Sequence, residues 1–516
     1  MSRGIEFTCQ SPTALADIPV VDVERLTESL SLAMENPTCG LSALFAVPAG
    51  PQTLRLYAIT SDAADGKLQA IAGDVGDQYP SVTQHVSQAH WFEREIAEQW
   101  GVKPLGHPWL KPIRFHRSYR QDHDAWGRTG DQPIVPGILP AENDYFRVEG
   151  DEIHEVAVGP VHAGVIEPGH FRFQCHGEHV FTLEIELGYQ HRGVARRLVG
   201  GPDKRTLHYM ETLAGDTSVG HASAYCQLVE GLAGIHVPVR YQALRAIGLE
   251  LERLANHTGD LGALAGDVGY LPTLSFCGRI RGDFLNCTML ICGSRFGRDL
   301  VRPGGVRYDV DAAMVEELLK RVRTAQRDVI GAADLLWKSA SVMARFENTG
   351  IVSQDTAEAL GVIGMAGRAS GVDRDARRDF PSGYFRYRQI PVATWHTGDA
   401  FARAYVRYLE IKRSCEFVGE VLRELPSTRQ AAPQSESWHE LKLKPEAMHV
   451  AIVEGWRGEI CHVALTDQLG RFAHYQVVDP SFHNWIGLSM ALRDQQISDF
   501  PLCNKSFNLS YCGHDL

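Results

Sequence analysis

Residues 250–269 read ELERLANHTGDLGALAGDVG. Together with the turn before them, Leu244, Ile247, Leu251, Leu254, Thr258 and Leu261 recur at steps of 3, 4, 3, 4 and 3, which is one stripe along an α-helix. Glu250, Arg253 and His257 lie on the opposite side, and their spacing predicts a charge network within the helix. Val315, Leu318, Leu319 and Val322 repeat the stripe inside AAMVEELLKRVRTAQRDVIGAADLLW (312–337). A third long helix is predicted in TGDAFARAYVRYLEIKRSCEFVGEVLREL (397–425). The second half of the chain therefore reads as mainly helical.

Outward from this body the period changes from 3.6 to 2. DEIHEVAVGP, GHFRFQCHGEHV and FTLEIELGY, between 151 and 189, alternate and are punctuated by glycine, so strands lead into the helices. AMHVAIVEGWRGEICHVALTD (447–467) and RFAHYQVVD (471–479) predict a hairpin, followed by a short helix; PSTRQAAPQSESW (426–438) is a polar loop. Near the N-terminus, LSALFAVPA (41–49) and TLRLYAITS (53–61) predict strands. QHVSQAHWFEREIAEQWG (84–101) predicts a helix closed by Trp100-Gly101. RSYRQDHDAWGRTGDQP and the proline-rich IVPGILPAEND (117–144) mark a linker. The expected class is α+β: a small α/β domain over 1–118, a linker over 119–150, and a mainly α-helical domain with a β-rich lead-in over 151–516.

The 516 residues carry 51 Lys and Arg against 63 Asp and Glu, a net charge of −12, which argues against nonspecific nucleic-acid binding. No run of about 18 apolar residues exists to span a bilayer. The start, MSRGIEFTCQSPTAL, lacks the apolar core of a secretory signal, and the eleven cysteines are scattered with no Cys-x-x-Cys pair. A reducing cytoplasm is the expected compartment.

Residues 90–116, HWFEREIAEQWGVKPLGHPWLKPIRFH, resemble the signature of the 30 kDa subunit of respiratory complex I. Residues 155–516 resemble the 49 kDa subunit of complex I and the large subunit of [NiFe] hydrogenases, especially membrane-bound group 4 enzymes. The pieces that carry this resemblance, in the family's order, are GPVHAGVIEPGHFRF, GYQHRGVARRL, ELERLANHTGDLGALAGDVG, VRPGGV, ASGVDRDARRDFP, GDAFARAYVRYLEI, EGWRGE and DPSFHNW. Fusion of the two parts resembles the formate hydrogenlyase large subunit.

In that hydrogenase family two Cys-x-x-Cys pairs hold nickel and iron, soft thiolates suiting both metals. Setting Glu211 on the family's glutamate in ETLAGDTSVGHASAYC (211–226) implies that the first pair falls on Ala214 and Thr217. SFNLSYCGHD (506–515) likewise implies Ser510 and Gly513 for the second. The resemblance thus implies the frame of a metal site without its thiolates: no metal ligand is expected and a Ni–Fe centre is not. The complex I branch uses the same cavity for a quinone headgroup, with a Tyr and a His donating hydrogen bonds and an Asp beside the His. The Asp corresponds to Asp267 and the His to His162 or His170, while the Tyr position falls at or beside Gly215.

Each candidate also has a plainer reading. His162 and His170 flank a turn that needs polar side chains, and Asp267 at a helix end suits a cap on free N–H groups. His221, on the helix beneath the implied metal, is either a proton relay or a satisfied core histidine. Asp216 and Thr217 are the polar residues left in the emptied loop, placed to hold water or a new ligand. Arg192 in the HRG turn reads as structural, and Arg403 and Arg407 as partners of carboxylates on neighbouring helices. An arginine over the metal is implied by the family, but the sequence does not locate it.

The resemblance implies a hetero-oligomeric, membrane-associated oxidoreductase complex on the cytoplasmic face of the cell membrane. This chain would dock a small iron–sulfur subunit, pass electrons from that partner's cluster to a quinone-like or other acceptor, and couple to antiporter-like membrane subunits. It would bind no cofactor itself. One rival is a group 4 hydrogenase with atypical ligands drawn from Cys226, Cys503 and Cys512; another is a non-catalytic scaffold subunit.

Overall fold

The computed structural model describes residues 4–127, 141, 144–425 and 441–516. Most of the predicted linker's proline-rich part and the whole polar loop 426–438 lie outside the described residues.

The N-terminal sheet is built from two long neighbours, Cys39–Pro48 and Leu54–Asp62, the strands read from sequence, and from Lys67–Val75, which no alternation in the sequence announces. Ile5–Phe7 pairs antiparallel and Val20–Val21 parallel with that third strand. The helix Val23–Met34, capped by the Asp22 carboxylate on the Arg25 amide, buries Leu26 and Leu30. The predicted helix over 84–101 begins only at His90 and runs to Trp100, with Gly101 closing it in the left-handed region (φ +65°). Gln84 instead ends one short 3₁₀ turn, Val82–Gln84, and Ser87–Ala89 form another.

The 90–116 signature has a physical basis in this arrangement. The Glu93 carboxylate accepts from Ser81 Oγ and from the Val82 and Thr83 amides, at 2.6–3.0 Å. Arg94 donates to the Lys111 and Pro112 carbonyls, and Glu98 accepts from the Arg114 amide. Each charged residue of the helix pins the stretch before or after it.

A second, three-stranded antiparallel sheet orders Ile153–Val158, His170–His176 and His179–Glu186 with His170–His176 in the middle. A third orders Phe472–Val478, Glu459–Thr466, Ala447–Glu454 and, at its edge, Thr13–Ala14 from the N-terminal region. The two predicted regions are interleaved there. They are also welded by charge: Gln476 donates to Glu95, and Arg374 reaches Glu459 and Ser61 Oγ.

The helical body consists chiefly of Ser218–Ala233, Val239–Asp267, Leu271–Cys292, Ala312–Trp337 and Ala400–Arg423. The 239–267 helix is buried on its polar side as well as along its apolar stripe. Gly262 lets it approach the next helix, since a Cβ there would stand 2.8 Å from Cys277 Cβ. The expected network within the helix exists only in part. Arg253 pairs with Glu250 at 3.1 Å, but both Arg253 and His257 also reach Glu410 on the 400–423 helix, at 3.3 and 2.8 Å. Arg368 completes the cluster with bonds to Glu410 and Glu454, at 2.7 and 2.8 Å. Burying ions without such partners would cost several kcal/mol each, so the charges fix how these elements meet.

Candidate active site

Two loops face each other at one end of this body. Ala214 to Thr217 precede the helix Ser218–Ala233, whose first amides are satisfied from a distance. Val219 and Gly220 donate to the Glu252 carboxylate at 2.7 and 3.1 Å. Burial of Glu252 nevertheless outweighs these bonds and pushes its carboxyl up to about 8.

The turn of the 447–466 hairpin delivers the opposing groups. Arg457 grips both oxygens of Asp216, at 2.6 and 2.7 Å, and its Nε donates to the Asn508 carbonyl at 2.5 Å. The guanidinium lies 3.9 Å from the Trp456 ring centroid. Trp456 Nε1 donates to the Asp216 carbonyl and to Thr217 Oγ1, both at 3.1 Å. Arg457 was not among the candidates read from the sequence. EGWRGE was the available signal.

The second loop ends in the helix Tyr511–Asp515, capped by Ser510 Oγ on the Gly513 amide at 2.9 Å. Cys512 lies 3.5 Å from Ser510 Oγ, and its amide donates to Glu167 at 3.3 Å. Arg192 ties the two loops together, donating to the carbonyls of Thr212, Leu213 and Cys512 at 2.7, 2.9 and 3.4 Å. Its structural reading from sequence matches this.

Beneath the loops lies a line of buried polar groups. Asp479 caps the helix Pro480–Ala491 through the Ser481 amide, and its Oδ2 lies 3.0 Å from His221 Nε2. His221 Nδ1 lies 3.1 Å from His462 Nε2, and His462 Nδ1 lies 2.8 Å from the Tyr475 hydroxyl. All four side chains are essentially without solvent exposure. His462 and Tyr475 meet because neighbouring strands pair His462 with Val477, leaving Tyr475 diagonally placed on the same face. Burial raises the Asp479 carboxyl, but its hydrogen bond to His221, with the Arg457 guanidinium nearby, outweighs it and holds Asp479 below the usual range. Burial holds His462 well below the usual imidazole range, hence neutral. With Asp479 an acceptor, the donors run in one direction: Tyr475 to His462, His462 to His221, His221 to Asp479.

The structure thus brings His221, Asp216 and Thr217 into one site. His162, His170 and Asp267 do not bond to it. His162 is exposed and accepts from the Gly164 amide at 2.9 Å. His170 is buried against the Tyr145 ring, 5.6 Å between centroids. Their turn borders the site through Glu167 instead. Asp267 is the last residue of the 239–267 helix, where carbonyls rather than N–H groups lack partners, so it is no cap. Partial desolvation by its neighbours raises its carboxyl to about 6, although the residue is exposed. Arg407 pairs with Asp260 at 2.7 Å as read from sequence, whereas Arg403 finds Ser506 Oγ and two carbonyls rather than a carboxylate.

Ala214, Thr217, Ser510 and Gly513 offer hydroxyls at most, and Cys512 is the one thiol in the facing loops. Cys226 and Cys503 are buried within helices, burial pushing the Cys503 thiol up to about 12. Among the described residues no group of three His, Cys, Asp or Glu side chains is placed to hold a metal ion. A guanidinium occupies the space between the loops. This donor set does not fit a thiolate-held nickel–iron centre.

Two family models match the chain: the respiratory-chain NADH dehydrogenase 30 Kd subunit over 20–126 and the 49 Kd subunit over 267–515. Hydrogenase-4 component G of Escherichia coli is 28% identical over 466 residues, covering 88% of this chain and 79% of that protein. Formate hydrogenlyase subunit 5 of E. coli is 27% identical over 451 residues, 84% of this chain and 76% of that one. The fused C/D polypeptide of the Bacteroides thetaiotaomicron NADH-quinone oxidoreductase is 26% identical over 405 residues, 74% of each. The chain belongs to the family in which the 30 kDa and 49 kDa domains of complex I are fused, shared by complex I and hydrogenase complexes. Among the described residues no helix is long and apolar enough to cross a membrane.

Proposed function

We propose that this chain is the acceptor-side subunit of a membrane-associated oxidoreductase complex and works without a nickel–iron centre. Electrons come from an iron–sulfur cluster in a small partner subunit. A quinone-like acceptor takes two electrons and two protons at the facing loops around Asp216 and Ser510, and antiporter-like membrane subunits couple the event to ion translocation. The observation that carries this reading is the Arg457–Asp216 pair: a cation held over a polar loop stabilises the anion formed when an acceptor is reduced. The relatives named as parts of NADH-quinone oxidoreductases support the acceptor class.

The test uses the purified complex, a reduced viologen dye as donor and a short-chain quinone as acceptor. Quinone reduction is expected with substoichiometric nickel, and Arg457→Gln is expected to lower turnover by at least about tenfold. Stoichiometric nickel with hydrogen evolution overturns the proposal in favour of a hydrogenase. Full turnover in Arg457→Gln overturns the site assignment.

A further inference from the structure

Resting on that reading, we propose that Tyr475, His462, His221 and Asp479 form a proton-conducting line that ends at the candidate site. The four groups are joined by contacts of 2.8, 3.1 and 3.0 Å. Behind them, the Tyr225 and Tyr475 rings lie 6.5 Å apart, both fully buried. At the other end, the Asp479 carboxylate touches the 510–513 loop, 2.7 Å from where a Cβ on Gly513 would begin.

The same atoms support a second arrangement that holds one more proton. In the first arrangement each imidazole passes one N–H toward Asp479. When a proton enters behind Tyr475, Tyr475 gives its hydroxyl hydrogen to His462 Nδ1 and takes the incoming one. His462 gives its Nε2 hydrogen to His221 Nδ1. His462 ends neutral with its hydrogen on the other nitrogen, and His221 ends as an imidazolium against the Asp479 carboxylate. One proton has entered, none has left, and no heavy atom has had to move. Charge on an acceptor at the facing loops then draws that proton forward through Asp479. The other charged groups facing this pair are Arg457 and, across it, Asp216; the cation opposes loading and the carboxylate favours it.

A core histidine pair with a structural role would need neither the tautomer change nor the tyrosine. The intact chain, with its histidine rings carrying ¹⁵N, is therefore titrated and followed by NMR. Loading of the His221–Asp479 pair is expected to coincide with transfer of the His462 hydrogen from Nε2 to Nδ1. In Tyr475→Phe, which keeps the ring and its packing, Nδ1–H has no acceptor, and loading is expected to weaken about tenfold. A His462 tautomer fixed through the titration, or loading unchanged by Tyr475→Phe, overturns the line. None of these readouts needs turnover, so failure of the quinone reading leaves a different record.

Discussion

The Asp479 carboxylate fills the space in which a side chain at residue 513 would have to start: a Cβ on Gly513 would stand 2.7 Å from both Oδ2 and Cγ. The glycine and the acid are complementary. A larger residue at 513 displaces Asp479 from His221, and with it the end of the buried line.

Gly513→Ala is accordingly expected to destabilise the fold by about 1–3 kcal/mol, as overpacking of a well-filled core does. Denaturant unfolding measures it, and a midpoint equal to that of the parent chain would mean that Asp479 has room to move.

Asp216→Asn removes the countercharge of a buried guanidinium. Breaking a fully buried pair costs about 3–5 kcal/mol. Asp216 is one-third exposed, however, at 33% side-chain accessibility against 4% for Arg457, so water softens the loss. The expected destabilisation is about 1–2 kcal/mol. Arg457→Gln in the same background is expected to add little further, because the pair is then already broken. A double-mutant cycle in thermal unfolding tests this; additive effects would show that the two side chains act independently.

Glu410 is the hub that accepts from Arg253, His257 and Arg368. Glu410→Gln removes one countercharge from this buried cluster, leaving Arg253 and Arg368 to their bonds with Glu250 and Glu454, at an expected cost of about 3 kcal/mol, enough to depress expression of the folded chain. Glu410→Asp, which keeps the charge but shortens the reach, is expected to lose less. Equal stability of the glutamine variant and the parent would show that the cluster's charges are balanced elsewhere.

Glu252 sets a pH dependence. Its folded-state carboxyl is raised by burial to about 8, against 4.5 for the ordinary group. Between these values the folded chain holds a proton that the unfolded chain has released. Stability from this group is therefore complete below about pH 4.5 and falls as pH rises toward 8, by up to about 1.4 kcal/mol per pH unit. Glu252→Gln, which can still accept from the Val219 or Gly220 amide, is expected to flatten that slope. Unfolding measured at intervals from pH 5 to 8 decides it: identical slopes in the two proteins would remove Glu252 as the cause.

Much of the architecture is legible in the order of residues. The stripe at Leu244, Ile247, Leu251 and Leu254, the alternation in HFRFQCH, and Gly101 after Trp100 are local patterns. Each reports a backbone period or a stop within a few residues of itself. Lys67–Val75 is not legible in this way although it is central to its sheet. It carries Gly73 and Asp74 beside small apolar residues, and buried position rather than propensity makes it a strand.

The candidate site is only half legible, for the same reason. His221, Asp216 and Thr217 stand near one another in sequence, so a single motif exposes them. Arg457, His462, Tyr475 and Asp479 are more than 230 residues away, and only the C-terminal hairpin, folded against the 218–233 helix, makes them neighbours. Sequence alone determined the two-part organisation and the identity of Ala214, Thr217, Ser510 and Gly513, none of them a cysteine, in the two loops. Tertiary structure decided what fills the space between the loops: an ion pair above and a hydrogen-bonded line below, because buried charges and imidazoles persist only where distant elements supply their partners.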